Sequence, residues 1–316
     1  MQQPANPPGR KQKRLAKRTN AGWDVKGRLL VVAMRLLSLF PFTMLRLFGH
    51  CLGRLLWALD IQAARVTREN LSYAYPELEE AARERLAKAN MIASAETALE
   101  MAAVWFRENQ WLRSAVVEVA NEVLLERAQK AGRGVIVLAP HLGNWEVLGR
   151  YLGVVAPGTT VMYQPAQSPS VDAMIANARL RNVNIAAADR GGVAKVVKAL
   201  KSGQVVGILP DQVPMEGAGE FADFYTKPAL TMTMIHQLYK KHRSLMVMAY
   251  CERVKKGYRI VFAEPEPAIY AEEMAVALRG LNESVEACID QIPSQYQWQY
   301  KRYRKQPPGV ERPYRF

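Results

Sequence analysis

Residues 134–146 read Gly-Val-Ile-Val-Leu-Ala-Pro-His-Leu-Gly-Asn-Trp-Glu. Val135–Leu138 is a short run of aliphatic residues with no polar position, the pattern of a strand buried on both faces. Pro140 cannot donate to a ladder and stops it. Asn144 is a good N-cap, and Glu146 then falls in the first helical turn, where a carboxylate suits the helix dipole. The spacing predicts a helix over about 145–153. A buried strand passing through a short connection into a helix is a unit of a helix-covered sheet.

Working outward, the same alternation recurs. Strands are expected at Thr159–Tyr163, Gln204–Leu209, Leu245–Tyr250 and Tyr258–Phe262, and helices at about 123–131, 170–181, 192–202, 229–241 and 271–289. Upstream, residues 61–112 carry apolar side chains at helical spacing (Leu86, Ala89, Ala93, Met101, Val104) with charges between them. The expectation is an α/β protein: a central, mostly parallel or mixed sheet flanked by helices. It forms one domain over residues 60–316, helical in its first part, 60–120. Ligands of such sheets sit beyond the carboxyl ends of strands, so the segments that follow strands are the candidate site.

Three segments qualify. After the first strand come His141 and, five positions on, Glu146. A loop imidazole and a first-turn carboxylate can meet because the chain reverses between them, and the carboxylate then fixes the tautomer and stabilises the imidazolium. This is a general-base pair. No serine or cysteine lies within the segment, so the nucleophile is expected to be a substrate hydroxyl. The second segment, Asp189-Arg-Gly-Gly192, offers Arg190 and helix-start N–H groups to an anion. The third, Leu209-Pro-Asp-Gln212, offers Asp211 to orient Arg190 or a substrate hydroxyl, with Gln212 beside it. Tyr163 and Gln164 also follow a strand, and Arg179 and Arg181 end a helix. Each has a plainer reading: a capping Glu, a turn Asp, helix-end cations. His236 and His242 lie about 240° apart on a helix and are not a ligand pair. Met232, Met234, Met246 and Met248 read as core packing, although flexible methionines also suit an acyl-chain slot.

The ends of the chain carry the charge. Residues 1–28 hold eight basic groups against Asp24, and residues 301–316 hold six against Glu311, which leaves only +2 of the +14 for the rest. A body held to an anionic surface by its termini is charged this way. A nucleic-acid binder with a basic stripe and interleaved aromatics is not. Residues 1–28 are expected to be a disordered polybasic leader, and 29–59 a helix bent at Pro41. Its longest uncharged run, Leu36–Leu45, is short of the roughly 20 residues of a spanning helix. Arg28, Arg35 and Arg46 fall within about 20° of one another, the pattern of a helix lying in a bilayer interface with its basic side toward head groups. A core helix or a tilted span remains open, and the leader favours the cytoplasmic face. Three scattered cysteines support neither a disulfide framework nor a zinc site. One His and one Glu are too few ligands for a catalytic metal.

His141-Leu-Gly-Asn-Trp-Glu146 resembles the first motif of the lysophospholipid acyltransferase superfamily, in the form found in the bacterial late (secondary) acyltransferases of lipid A biosynthesis. Arg68-Glu-Asn-Leu71 with Tyr75-Pro-Glu-Leu78 is similar to the early helical segment of that family, Val205–Gln212 to its later strand-and-loop motif and Pro293–Tyr303 to its closing motif, in order along the chain, so the likeness covers about residues 24–308. It departs at Asp223-Phe-Tyr-Thr-Lys-Pro-Ala229, where the family usually has Phe-Phe-Gly-x-Pro-Ala. The resemblance implies a glycerolipid acyltransferase-like fold and an O-acyltransferase at the cytoplasmic face of the inner membrane. Acyl-acyl carrier protein is the implied donor and a lipid A precursor the acceptor. The catalytic residues would be His141 and Glu146. Asn144, Tyr163, Arg179, Arg190, Asp211 and Gln212 would contact substrate, and no cofactor is needed. Arg179 and Arg190 match basic positions expected near the phosphorylated glycolipid or the carrier. Another lipid acceptor, hydrolysis, or non-catalytic binding to anionic membranes are the alternatives.

Overall fold

The computed structural model describes residues 10–316, with side chains from Asp24 onward. The centre is a seven-stranded sheet in the order β1-β9-β8-β2-β5-β3-β4. Its strands are β1 (Val116–Ala120), β2 (Val135–Leu138), β3 (Thr160–Tyr163), β4 (Asn184–Ala187), β5 (Val205–Ile208), β8 (Leu245–Val254) and β9 (Gly257–Ala263). Strands β8, β2, β5, β3 and β4 run parallel, while the β8–β9 pair is antiparallel and β1 follows β9. The α/β sheet read from the sequence is therefore the fold. Every residue of β2 and β5 is buried, as their uninterrupted apolar runs require.

Helices α6 (Val123–Lys130), α7 (Trp145–Val155), α8 (Pro169–Leu180), α9 (Arg190–Lys201), α10 (Met234–His242) and α11 (Met274–Gln291) cover the sheet. The amino-terminal part is α1 (Arg10–Leu37), α2 (Phe42–Ala58), α3 (Gln62–Ala74), α4 (Glu80–Phe106) and α5 (Asn109–Ala115). The 229–241 helix is corrected. Residues 229–232 belong to the hairpin of β6 (Gly219–Phe224) and β7 (Lys227–Met232), whose turn is Tyr225-Thr226, with Tyr225 at φ 51°. Thr231 and Ala229 are buried there under α11, and the helix starts only at Met234. Met246 and Met248 are core, as read.

The amino-terminal expectations change in three ways. Residues 1–9 of the leader lie outside the described part, but the helix begins at Arg10 and not at 29. Its docked stretch includes Asp24, which accepts from Ser170 Oγ at 2.6 Å, and Gly27, which lies against Ser168 at the start of α8. The 29–59 helix is two helices. Pro41 stands at the N-cap of α2, where its fixed φ starts a new helix instead of bending one. Arg46 does not face outward with Arg35. Gly49 and Gly53 have no room for a Cβ against the α4 backbone, so α2 lies close on α4. That turns Arg46 inward onto Glu100 and onto the carbonyls of Val254 and Gly257. Among the described residues no helix is long and apolar enough to cross a membrane. The outer side of α1, α2 and the turns that follow them nonetheless exposes Leu29, Leu36, Leu39, Leu47, Leu55 and Leu59.

Candidate active site

Parallel strands end at the same edge, and this builds the site. In the β2–β5 register Leu138 faces Ile208. His141 and Asp211 each lie three residues beyond, so the two connections deliver them side by side. Asp211 Oδ1 lies 2.8 Å from His141 Nδ1, and Oδ2 accepts from the His141 backbone N–H at 2.9 Å. Asp211 is buried. Burial alone would raise its carboxyl; the charge and hydrogen bonds of His141 outweigh that and hold it below the usual range. Gln212 Nε2 lies 3.2 Å from His141 Nε2 and donates to Gln297 Oε1 at 2.8 Å. With Nδ1 against the Asp211 carboxylate, an N–H on Nδ1 donates to it, and Nε2, beside the Gln212 amide, is the ring atom left to meet another group.

The pairing of His141 with Glu146 is thus corrected. Asn144 caps α7 by accepting from Val147 N, and Glu146 projects toward α8, where its two oxygens accept from Arg179 Nε, at 3.1 Å, and Nη2. Arg179 also lies 5.7 Å from the centroid of Tyr163. Burial alone would lower Arg179, but Glu146 outweighs it and keeps the guanidinium firmly charged. Asp211 does not orient Arg190. Arg190 is exposed at the first position of α9 and makes no hydrogen bond or ion pair among the described residues, while Asp189 caps that helix by accepting from Gly192 N at 2.8 Å. Asn144 is no surface contact for a substrate either: it is fully buried, and its Nδ2 donates to Glu100 Oε2 and the Tyr258 hydroxyl.

Glu100, Arg253, Gln295 and Gln297 were missed from sequence because each is remote in the chain. Glu100 is fully buried and ionically tied to Arg46 at 2.8 Å and Arg253 at 2.7 Å. Burial would raise its carboxyl, but Arg253 and Arg46 prevail and hold it low. The segment 293–303 straps the connection that carries His141. Gly143 N donates to Gln295 O, and Gln297 N to His141 O. Asn90 on α4 and Asn70 on α3 grip the strap's carbonyls. Gly143 has φ 62°, and a Cβ there would fall 1.8 Å from Cys251 O, so only glycine lets the connection bridge to β8. The likeness of Arg68–Leu71 and Pro293–Tyr303 to family motifs was the available signal.

Trp145 packs edge-on against the His141 ring, centroids 4.9 Å apart. Trp145, Gly143 and Gln297 also border a cavity of about 460 Å³ whose far walls are Leu30 and Met34 of α1, Met101 and Trp105 of α4, and Val171 and Met174 of α8. That volume is within the usual range of small-molecule sites. Among the described residues no group of three or more His, Cys, Asp or Glu could hold a metal ion.

Fold and site together define a class: an α/β protein with a histidine–carboxylate pair at the carboxyl edge of a parallel sheet, beside an apolar chamber. Comparison with known proteins narrows it. The sequence model described as "Bacterial lipid A biosynthesis acyltransferase" matches residues 11–305, and the chain belongs to that family. It is 28% identical over 277 residues to the lipid A biosynthesis lauroyltransferase of Escherichia coli (strain K12), covering 85% of this chain and 88% of that protein. It is 27% identical over 274 residues to the palmitoleoyltransferase of the same strain, with the same coverage. It is 26% identical over 267 residues to the myristoyltransferase, 84% of this chain and 82% of that one. The protein is a lipid A acyltransferase.

Proposed function

We propose that the enzyme moves a fatty acyl chain from acyl-acyl carrier protein to a hydroxyl of a lipid A precursor. The observation that carries the reading is the His141–Asp211 pair, with Nδ1 turned to the carboxylate and Nε2 away from it, next to an apolar chamber bordered by the adjoining Gly143 and Trp145. The acceptor hydroxyl takes the place of the Gln212 amide at Nε2. Nε2 removes its proton as the oxygen attacks the thioester carbonyl, and Asp211 stabilises the imidazolium. Gln212, whose side-chain amide nitrogen lies between His141 Nε2 and Gln297 Oε1, supplies an N–H to the oxyanion. The C–S bond then breaks, and the thiolate takes the proton back from the imidazolium. No acyl-enzyme forms. Glu146 and Arg179 hold the other side of Trp145 and α7 in place.

The related proteins named lauroyl-, palmitoleoyl- and myristoyltransferase are nearly equally distant from this chain, so the acyl length is not read from kinship. The exposed leucines of α1 and α2, with Arg35 and Arg54 among them, support attachment to an anionic membrane surface. The reading places the enzyme on the cytoplasmic face of the inner membrane.

The test is incubation of purified protein with a panel of acyl carrier protein thioesters and an underacylated lipid A precursor, followed by mass. Acylated product is expected, and its rate falls about 10²–10⁴-fold in His141→Ala. A precursor left unacylated with every donor, or a variant that keeps more than about a tenth of the rate, rejects the proposal.

A further inference from the structure

Where the ends of α1, α4 and α8 meet the side of α7, three guanidiniums gather without a carboxylate. Arg150 of α7 is only 3% exposed. It donates to Val104 O at 2.6 Å and to Asn109 Oδ1 at 2.8 Å, and its Nε has no partner. Arg181, the exposed C-cap of α8, donates to the carbonyls of Trp105 and Arg107. Arg107, just past α4, donates to Ser38 O and Phe40 O in the turn between α1 and α2. Among the described residues every hydrogen-bond partner of the three is thus a carbonyl or amide oxygen. Glu108, next in the chain, is exposed and pairs with none of them. Arg179 on the same helix as Arg181 has Glu146 to itself.

Carbonyl contacts satisfy N–H groups but leave the charge. The ends of α1 and α4 together offset about one unit of it, against three. Burial and the neighbouring charge of Arg181 push Arg150 down to about 10, as expected of a cation with too little negative charge around it. The cluster also lies directly behind the apolar face. The turn whose carbonyls Arg107 holds carries Leu39, 77% exposed, and Phe40, 40% exposed. Trp111 packs edge-on with Phe42 at 5.5 Å and lies 5.6 Å from the Arg107 guanidinium. Tryptophan and arginine beside exposed leucine suit the head-group zone of a bilayer. The anion of that zone is phosphate, which a guanidinium fork meets with two oxygens.

We propose that Arg107 and Arg181, with Arg150 behind them, bind the phosphate of a lipid head group at a site distinct from the His141–Asp211 pair. That phosphate belongs to the glycolipid acceptor or to an anionic lipid of the surrounding bilayer. The site rests on the arginine geometry; only the first source rests on the proposed acyl transfer.

Soluble dihexanoyl phosphatidic acid and dihexanoyl phosphatidylcholine are titrated into full-length wild type, Arg107→Gln/Arg181→Gln and a charge-matched control at exposed positions, Arg85→Gln/Arg127→Gln, with thermal unfolding as the readout. Wild type is expected to bind phosphatidic acid about tenfold or more tightly than phosphatidylcholine, the control to keep that preference and the site variant to lose it. No preference in wild type, or one that survives in the site variant, overturns the proposal. If the site variant does not fold, wild type is treated with phenylglyoxal, which modifies accessible arginines. Phosphatidic acid, and not phosphatidylcholine, is expected to protect the peptides holding Arg107 and Arg181, and unprotected peptides overturn the proposal.

Turnover in neutral detergent micelles separates the sources. If the acceptor's phosphate is held, the site variant raises KM for a phosphorylated lipid A precursor about tenfold with kcat unchanged, and KM for the dephosphorylated precursor stays where it was. If a bilayer lipid is held, both KM values stay, and added phosphatidylglycerol speeds wild type but not the variant. Neither change marks an adventitious anion site and overturns the proposal. A wild type that transfers nothing yet shows the phosphatidic acid preference rejects the proposed reaction and leaves this site standing.

Discussion

Asp211 Oδ1 sits 2.8 Å from His141 Nδ1, although the two residues are 70 apart in the chain. The carboxylate five residues from His141, Glu146, is bonded to Arg179 instead. The two acids thus have separate partners: Asp211 lies on the imidazole, and Glu146 on a mostly buried guanidinium. Asp211→Asn is therefore expected to lower kcat by about 10²-fold or more with little change in KM, because an amide no longer stabilises the imidazolium or fixes Nδ1–H. Single-turnover rates with an unchanged circular dichroism spectrum check it.

The Glu146–Arg179 pair predicts a different signature. Glu146→Gln leaves a mostly buried guanidinium unpaired, so the loss is first one of stability. A double-mutant cycle of Glu146→Gln with Arg179→Met is expected to give a coupling of about 1–3 kcal/mol in denaturant unfolding. The same cycle of Glu146→Gln with His141→Ala is expected to give a coupling near zero. Equal coupling in both would place Glu146 on the imidazole after all.

Glu100 supplies a pH dependence. Its carboxyl is held below its ordinary value of 4.5, with Arg253 and Arg46 overcoming the burial that would raise it. A group depressed in the folded state stabilises above its unfolded value, and that stability disappears as pH falls through the depressed one. Wild type is thus expected to lose stability from about pH 4.5 downward. Glu100→Gln should already be weaker at pH 7, by about 3–5 kcal/mol, since Arg46 loses its carboxylate and Arg253 keeps only the more distant Glu96 at 3.5 Å, and should have a flatter acid limb. Urea titrations at pH 7, 5 and 4 measure both.

The apolar outer side of α1 and α2 predicts reversible attachment. Replacing Leu36, Leu47 and Leu55 together by Asp is expected to reduce sedimentation with vesicles containing anionic lipid by about tenfold or more, since each fully buried Leu contributes roughly 1.5–3 kcal/mol and added carboxylates are repelled. Unchanged sedimentation would place the contact elsewhere.

The order of the elements was legible because it is written locally. The four-residue runs of β2 and β5, the cap at Asn144 and the amphipathic helices each occupy a single stretch of chain, and the α/β sheet follows from their alternation. The edge strand β1, the short strand β4 and the β6–β7 hairpin were not legible, since edge positions carry mixed polar and apolar residues and weak patterning. The family too was readable, because its motifs keep their order.

Sequence by itself determined that His141 would lie at a strand end with a carboxylate for a partner. Only the tertiary structure decided which carboxylate. Parallel pairing of β2 with β5 brings the residues three beyond Leu138 and Ile208 to one point, whereas the start of α7 carries Glu146 toward α8. In the same way sequence showed an amino-terminal arginine stripe, and close packing at Gly49 and Gly53 turned Arg46 into the interior. Spacing along one chain fixes which side of a helix or strand a residue occupies. Which neighbour meets it depends on contacts between segments far apart in the chain, and those are settled by burial and packing of the whole.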